Sequence, residues 1–90
     1  MAVDPQRTWT LAEHVTWKPL EDSIVILDLD SGSYYTLNAS AALFWRCIAE
    51  GSSFEQGLNT CLETYDVDRN KLVADLTRLT SEMESEKIIA

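Results

Sequence analysis

The fold is decided by residues 27–38, which read LDLDSGSYYTLN. Asp30 suits an early turn position, and Gly32 can adopt φ > 0 without steric cost. The two tyrosines that follow favour a pleated strand, and Asn38 is a good N-cap for the apolar segment after it. The stretch therefore predicts two strands joined by a tight turn and followed at once by a helix.

A further strand is predicted upstream of this turn. Residues 15–18 alternate apolar and polar side chains, which predicts a strand that ends at Pro19. Residues 23–29 then form the second strand and residues 33–37 the third. The short connections between them favour an antiparallel three-stranded meander.

Three helices are predicted after the strands. The first covers about residues 39–50, where apolar side chains recur at helical spacing. The second begins at a capping box formed by Ser53 and Gln56, and the third follows Asp68 as its N-cap. The strands and helices together predict an α+β fold that resembles a winged helix-turn-helix. We expect one domain over residues 8–90, after a flexible N-terminus over residues 1–7.

Composition limits the classes of function. The chain has 90 residues, is 46% hydrophobic and carries a formal net charge of −8. Nucleic acid phosphates would be repelled by this charge, and the third helix has more acidic than basic side chains. We interpret the acidic side chains of the C-terminal half as solvated helix faces. The longest apolar run, residues 41–45, is too short for a membrane span, and the N-terminus has no signal-peptide pattern. We expect a cytoplasmic protein that binds neither nucleic acid nor membrane.

Little in the sequence supports catalysis. His14 is the single histidine and has no nucleophile near it, and the three glycines are too dispersed for a phosphate loop. Cys47 and Cys61 are interpreted as small buried side chains. No paired Cys/His spacing predicts a metal site. We therefore predict a non-enzymatic binding module without metal or cofactor.

The third strand offers a way to bind an extended peptide. As the outer strand of the meander it keeps one edge unpaired, and a peptide can add to such an edge through main-chain hydrogen bonds. If the third helix packs beside this edge, its apolar residues form a pocket wall. The alternative is that they belong to the core. Leu76 and Leu79 are the best candidates for the wall, and we expect specificity from side-chain pockets rather than from charge.

An ordered set of residues runs through the chain from about residue 8 to residue 89. It comprises residues 27–28, 31–32 and 34–38, then Ala41, Trp45, Asp75, Leu76, Leu79, Met83 and residues 88–89. In this order the set resembles the PqqD-like family, also called RiPP recognition elements. One departure is Lys87, where many relatives have glycine before the final apolar pair, so the end of the third helix is left open.

The resemblance implies a protein that binds the leader segment of a ribosomally synthesised precursor peptide and presents it to a modifying enzyme. In the family the leader adds to the third strand and packs against the third helix. Carried over to this sequence, the peptide-binding residues are Ser33, Tyr34, Tyr35, Thr36, Leu37, Leu72, Asp75, Leu76, Leu79 and Met83. Residues 9–15 are most similar to the stand-alone proteins of lasso peptide pathways, whose partner is a leader peptidase or cyclase. A chaperone of pyrroloquinoline quinone biosynthesis and a scaffold domain without a peptide ligand are the alternatives.

A second surface is predicted on the other face of the sheet. We assign Ile24 and Ile26 to the same face as Tyr34 and Thr36, where they would form an exposed apolar patch. Such a patch would dock the processing enzyme or form a homodimer contact. The alternative is that residues 9–11 fold over it.

Overall fold

The computed structural model describes residues 3–90 and contains three strands followed by three helices. The bounds are β1 Val15–Leu20, β2 Ser23–Asp28, β3 Tyr34–Leu37, α1 Ala39–Ala49, α2 Phe54–Thr64 and α3 Arg69–Ser85. The strands form an antiparallel sheet in the order β1-β2-β3. The predicted α+β fold is thereby confirmed. Within residues 3–90, none of the helices is long and apolar enough to cross a membrane.

Strand β1 continues past the predicted end, through Pro19 to Leu20. Pro19 pairs with Ile24 across the hairpin. The backbone N–H of Leu29 donates to the carbonyl oxygen of His14 at 2.7 Å, and since ladder bonds alternate along a strand, odd-numbered residues of β2 bond toward β1. Pro19 stands opposite an even-numbered residue, so its missing N–H lies on the free edge. Proline at an outer strand therefore breaks no ladder bond, which is why it does not end β1.

The turn between β2 and β3 is held by the Asp28 carboxylate. Its Oδ1 accepts the backbone N–H groups of Asp30 at 2.9 Å and Ser31 at 3.2 Å. The Gly32 N–H, at φ 77°, donates to the carbonyl oxygen of Asp28 at 2.8 Å. Burial raises the pKa of Asp28, but these hydrogen bonds and the nearby His14 outweigh it and hold the pKa below its usual value. Strand β2 consequently ends at Asp28, one residue before its predicted end.

The helix starts follow the sequence prediction with one difference. Ser53 Oγ accepts the Gln56 N–H at 3.2 Å, and Gln56 Oε1 accepts the Ser53 N–H at 2.9 Å, which confirms the capping box. At the start of α3, Asp68 Oδ2 accepts the Lys71 N–H at 2.9 Å. Asn38 occupies the N-cap position of α1, but its side chain makes no capping hydrogen bond.

The core lies between the inner face of the sheet and the helices. Ile24 and Ile26 of β2 and Leu37 of β3 are buried in one cluster with Phe44 and Trp45 of α1. Each such side chain gains about 1.5–3 kcal/mol on full burial. The inner sheet face is therefore fixed by apolar contact with the helices.

The assignment of Ile24 and Ile26 to an exposed face is wrong. These side chains are 1% and 0% exposed, and they pair with Leu37 and Tyr35 of β3. The connection formed by residues 29–32 has an even length, which places even-numbered residues of β2 on the same face as odd-numbered residues of β3. The outer face carries instead Val25, Leu27, Tyr34 and Thr36. The two isoleucines therefore form no docking patch.

The N-terminal segment packs against helix side chains and the C-terminal end. Trp9 is 6% exposed, and its ring meets Phe44 and Phe54 edge to face at centroid distances of 6.4 and 6.3 Å. Leu11 forms an isolated antiparallel bridge with Ile89. Trp9 therefore belongs to the helical side of the core and does not cover the outer face of the sheet.

Residues 4–7 are hydrogen-bonded to the first turn of α2. Two N–H groups of that turn donate to the carbonyl oxygens of Arg7 and Pro5 at 2.8 and 3.0 Å. A helix leaves such first-turn N–H groups without internal partners, so the segment satisfies them. Flexibility over residues 1–7 stays a prediction, and residues 1–2 lie outside the described part of the chain.

The close approach of α2 to α1 yields a test at Gly57. A Cβ atom built there would lie 2.9 Å from both Cδ1 and Cε1 of Phe44, whose side chain is fully buried. We expect Gly57→Ala to lower the free energy of unfolding, because overpacking costs about 1–3 kcal/mol and exceeds the helix-propensity gain of about 1 kcal/mol. Urea unfolding measures the change. Asn59→Ala, at an exposed site of α2, is the control that should keep or raise stability. A Gly57→Ala protein more stable than the parent would contradict the tight contact.

Candidate functional site

Strand β3 presents an unpaired edge. The Asp28 N–H donates to the carbonyl oxygen of Ser33 at 2.9 Å, so these two residues form a hydrogen-bonded pair. Such pairs recur at every second residue of an antiparallel ladder. The backbone N–H and C=O groups of Tyr34 and Thr36 therefore point away from β2. These groups are available to another extended chain.

A cavity of about 380 Å³ lies beside this edge, between β3 and the end of α3. Its apolar surface comes from both elements and from the chain after α3. Acidic side chains of α3 stand among these apolar groups. The lining residues are Tyr35, Thr36, Leu37, Leu79, Glu82, Met83, Ser85, Glu86 and Ile88.

A second cavity of about 300 Å³ continues along α3 toward the start of α1. Its lining residues are Asn38, Ser40, Ala41, Leu72, Asp75, Leu76, Arg78, Leu79 and Glu82. Leu79 and Glu82 line both cavities. The two cavities therefore adjoin along α3, and we call them together the β3–α3 groove.

Eight of the ten predicted peptide-binding residues line this groove, and Ser33 and Tyr34 do not. Ser33 precedes β3, where its N–H donates to Ser31 Oγ at 3.2 Å. The Tyr34 side chain lies on the outer face and is 71% exposed. The eight lining residues are Tyr35, Thr36, Leu37, Leu72, Asp75, Leu76, Leu79 and Met83. Peptide binding by all ten stays a prediction.

Burial divides the apolar lining residues of α3 into two kinds. Leu72, Leu76 and Met83 are 5%, 2% and 5% exposed, so they serve mainly as core. Leu79 is only partly buried and packs against the core from its margin. Of the two leucines predicted as pocket wall, Leu79 is thus the better placed, because part of its surface remains open to a ligand.

Two acidic residues of the groove, Glu82 and Glu86, were missed as site residues by sequence reasoning. Both are exposed side chains of the cavity wall. A signal for them existed, because they follow Leu79 at spacings of three and seven residues. Such spacings place them on the same helix face. The general interpretation of acidic residues as solvated helix faces obscured this position.

The groove electrostatics differ between its two ends. Asp75 Oδ1 lies 2.9 Å from an Arg78 guanidinium nitrogen, which offsets its charge. At the other end, burial raises the pKa of Tyr35, and the carboxylates of Glu86 and Asp28 raise it further. The Tyr35 hydroxyl therefore stays protonated at neutral pH.

The remaining reactive side chains lie outside the groove. Both His14 ring nitrogens are 3.8 Å from a carboxylate oxygen, one of Asp28 and one of Asp30. Burial, with Cys47 nearby, raises the pKa of the Cys61 thiol to about 11. Its Sγ donates to the Ser40 carbonyl oxygen at 3.4 Å, so it is a protonated core group and no nucleophile. Residues 3–90 contain no cluster of three His, Cys, Asp or Glu side chains arranged for a metal ion.

Comparisons with known proteins agree on one fold. A family model described as coenzyme PQQ synthesis protein D (PqqD) matches residues 23–89. No curated protein matches the sequence. The chain is similar to TbiB1 in complex with the TbiA(beta) leader peptide, with 24% identity and a TM-score of 0.79, over 89% of this chain and 93% of that one. It is also similar to lasso peptide synthetase B1 complexed with the leader peptide, with 23% identity and a TM-score of 0.80, over 93% and 99% of the two chains.

The burial difference between Leu76 and Leu79 predicts different effects on stability. Leu76→Ala should lower the free energy of unfolding by about 2–5 kcal/mol, because it leaves a cavity in the core. Leu79→Ala should cost less than half as much, because part of the leucine surface is already solvated. Thermal and urea unfolding of the two variants measure the difference. Equal losses for both would mean that Leu79 is a core residue as well.

Proposed function

The chain belongs to the PqqD family, whose model matches residues 23–89, and from that premise we propose that it is a non-catalytic recognition protein for the leader segment of a ribosomally synthesised precursor peptide. In this proposal the protein binds the leader in the β3–α3 groove. It then presents the remainder of the peptide to a processing enzyme, such as a leader peptidase or cyclase of lasso peptide biosynthesis. Two solved structures of similar fold are described as leader peptide complexes, which supports this ligand class.

The observation that carries the proposal is the open main chain of Tyr34 and Thr36 beside an apolar groove. A leader segment paired with this edge would extend the sheet by one strand, and its main-chain bonds would provide affinity for any sequence. Alternate side chains of an added strand point to opposite faces. Those on the inner face would enter the groove against Leu79 and the exposed part of Leu37. Recognition then needs no catalytic group in this chain.

The other edge of the sheet is less suited to strand addition. The residues of β1 whose backbone N–H position faces the free edge are those paired with even-numbered residues of β2. Pro19, which pairs with Ile24, is one of these residues. Its ring removes a donor from the free edge, a common protection of outer strands. A cavity adjoins β3 and is lined by three of its residues. Edge chemistry and this cavity together favour β3.

A chaperone role in pyrroloquinoline quinone biosynthesis is the second candidate, because the matching family model is described as coenzyme PQQ synthesis protein D. The two roles differ in the precursor that the groove accepts. Titration with a lasso precursor and with a precursor of the quinone pathway therefore separates them by affinity. A scaffold domain without a peptide ligand would bind neither.

The direct test is calorimetric titration with the short precursor peptide encoded beside this chain's gene. We expect saturable binding, and we expect Leu79→Ala to weaken it by about 1–3 kcal/mol, as for an anchor side chain in a pocket. Val73→Ala, at a partly buried α3 site outside the groove, is the control for helix packing. A folded protein that shows no heat of binding with either precursor type would refute leader recognition.

Strand addition at β3 predicts a specific effect of proline at position 36. Because the Thr36 N–H points away from β2, Thr36→Pro removes a donor for the ligand and leaves the β2–β3 ladder intact. Loss of one main-chain hydrogen bond costs about 0.5–1.5 kcal/mol, so affinity should fall by about twofold to tenfold. Thr36→Val keeps the N–H and controls for the lost side chain. Tight binding by a folded Thr36→Pro variant would place the peptide elsewhere.

A further inference from the structure

The β3–α3 groove carries an uncompensated negative charge at one end. Its charged lining residues are Asp75, Glu82 and Glu86 against Arg78, which leaves a net charge of −2. Arg78 is already paired with Asp75 at 2.9 Å. Among residues 3–90, no Lys, Arg or His nitrogen lies within 4.0 Å of a carboxylate oxygen of Glu82 or Glu86. Both carboxylates therefore stand open at the groove without an internal counter-ion.

We infer that the peptide bound in this groove carries a cationic side chain, lysine or arginine, which pairs with Glu82 and Glu86. This inference rests on the proposed function and adds a charge requirement to it. The sequence alone favoured specificity from pockets rather than from charge. In the structure, pocket and charge occur in the same cavity, so one ligand side chain can use both.

The spacing of the two glutamates suits a single cation. Glu86 is the C-cap of α3, and its N–H donates to the Glu82 carbonyl oxygen at 3.0 Å, so the two residues keep helical spacing. Residues four apart at this spacing are surface neighbours, with Cβ atoms about 5–6 Å apart, and two like charges there are destabilising by a few tenths of a kcal/mol. A cation held between Glu82 and Glu86 would relieve that repulsion. An arginine guanidinium presents donors on two sides, which suits two carboxylates at once.

The surroundings of the glutamates suit the rest of such a side chain. Leu79 and Met83 line the same cavity and present apolar surface next to the carboxylates. Lysine and arginine commonly lay their aliphatic stems along apolar surface while the charged head reaches polar groups. Tyr35 lines the cavity from β3; burial raises the pKa of its hydroxyl, and the carboxylates of Glu86 and Asp28 raise it further. The aliphatic part of a lysine or arginine side chain would therefore pack on Leu79 and Met83, while its charged group pairs with the carboxylates.

The experiment compares the parent protein with Glu82→Gln/Glu86→Gln by fluorescence anisotropy, using the labelled precursor peptide encoded beside the gene. We expect the double variant to bind about threefold to tenfold more weakly, as suits two partly exposed ion pairs. The matched control is Glu50→Gln/Glu63→Gln, which changes net charge equally at exposed sites outside the cavities. It should bind like the parent.

Salt concentration and peptide variants test the charge pairing directly, because neither should matter if Glu82 and Glu86 had only a structural role. Raising sodium chloride from about 50 mM to about 500 mM shortens the screening length severalfold, so it should weaken the parent complex more than the glutamine variant. Each lysine and arginine of the peptide is replaced in turn by glutamine. At one position this replacement should weaken binding to the parent protein but leave the affinity for the Glu82→Gln/Glu86→Gln protein unchanged. A peptide with glutamate at that position should recover affinity for Glu82→Lys/Glu86→Lys.

The binding results distinguish failure of the charge requirement from failure of the proposed leader recognition. If the parent binds the peptide and the double glutamine variant binds within about twofold of it at low salt, where exposed ion pairs are least screened, the acidic residues are solvated surface and the inference fails alone. A bound segment that lacks any lysine or arginine would overturn it equally. If the folded parent binds no precursor peptide, leader recognition and the charge requirement fail together.

Discussion

The hydrogen bonds of the Asp28 carboxylate fix the register between β2 and β3, and this register sets both the core face and the free edge of the sheet. They close the connection of residues 29–32 by accepting the N–H groups of Asp30 and Ser31. The register then sends Ile26 into the core and turns the main chain of Thr36 outward. A slip of one residue would reverse both, because it moves every side chain of a strand to the other face. One turn thus determines both the stability of the sheet and the chemistry of its free edge.

The position of α3 beside that edge depends on the joined ends of the chain. Thr10 and Ala90 exchange N–H···O bonds at 2.8 and 3.0 Å, and the Ala12 N–H donates to the Ile88 carbonyl oxygen at 2.9 Å. Lys87 turns the chain after α3 with φ 60°, a left-handed conformation that costs a non-glycine residue about 1 kcal/mol. Glycine would adopt this conformation without that cost. Ile88, the next residue, is buried and lines the cavity beside β3.

An open strand edge beside an apolar groove can bind a ligand chain, but it can also cause unwanted association. Unpaired edges invite association with other chains, and natural proteins protect them with prolines, short strands and charges. The β1 edge has Pro19 within it. The β3 edge spans four residues and has the acidic end of α3 beside it. The contrast between the two edges supports the proposed strand addition at β3 rather than at β1.

The order of strands and helices, the capping box at Ser53 and the N-cap at Asp68 were predictable from the sequence, because these features depend on contacts a few residues apart. Eight of the ten residues that the resemblance implied as peptide-binding line the β3–α3 groove, and their binding role stays a prediction. The sheet face of Ile24 and Ile26 was not predictable in this way, since it depends on how many residues the turn leaves unpaired. The tertiary structure separated Leu76 from Leu79, which occupy one apolar stripe in sequence. Their burial differs because the surrounding elements cover Leu76 almost completely and Leu79 only in part. This difference arises from tertiary packing, which a local sequence pattern does not predict.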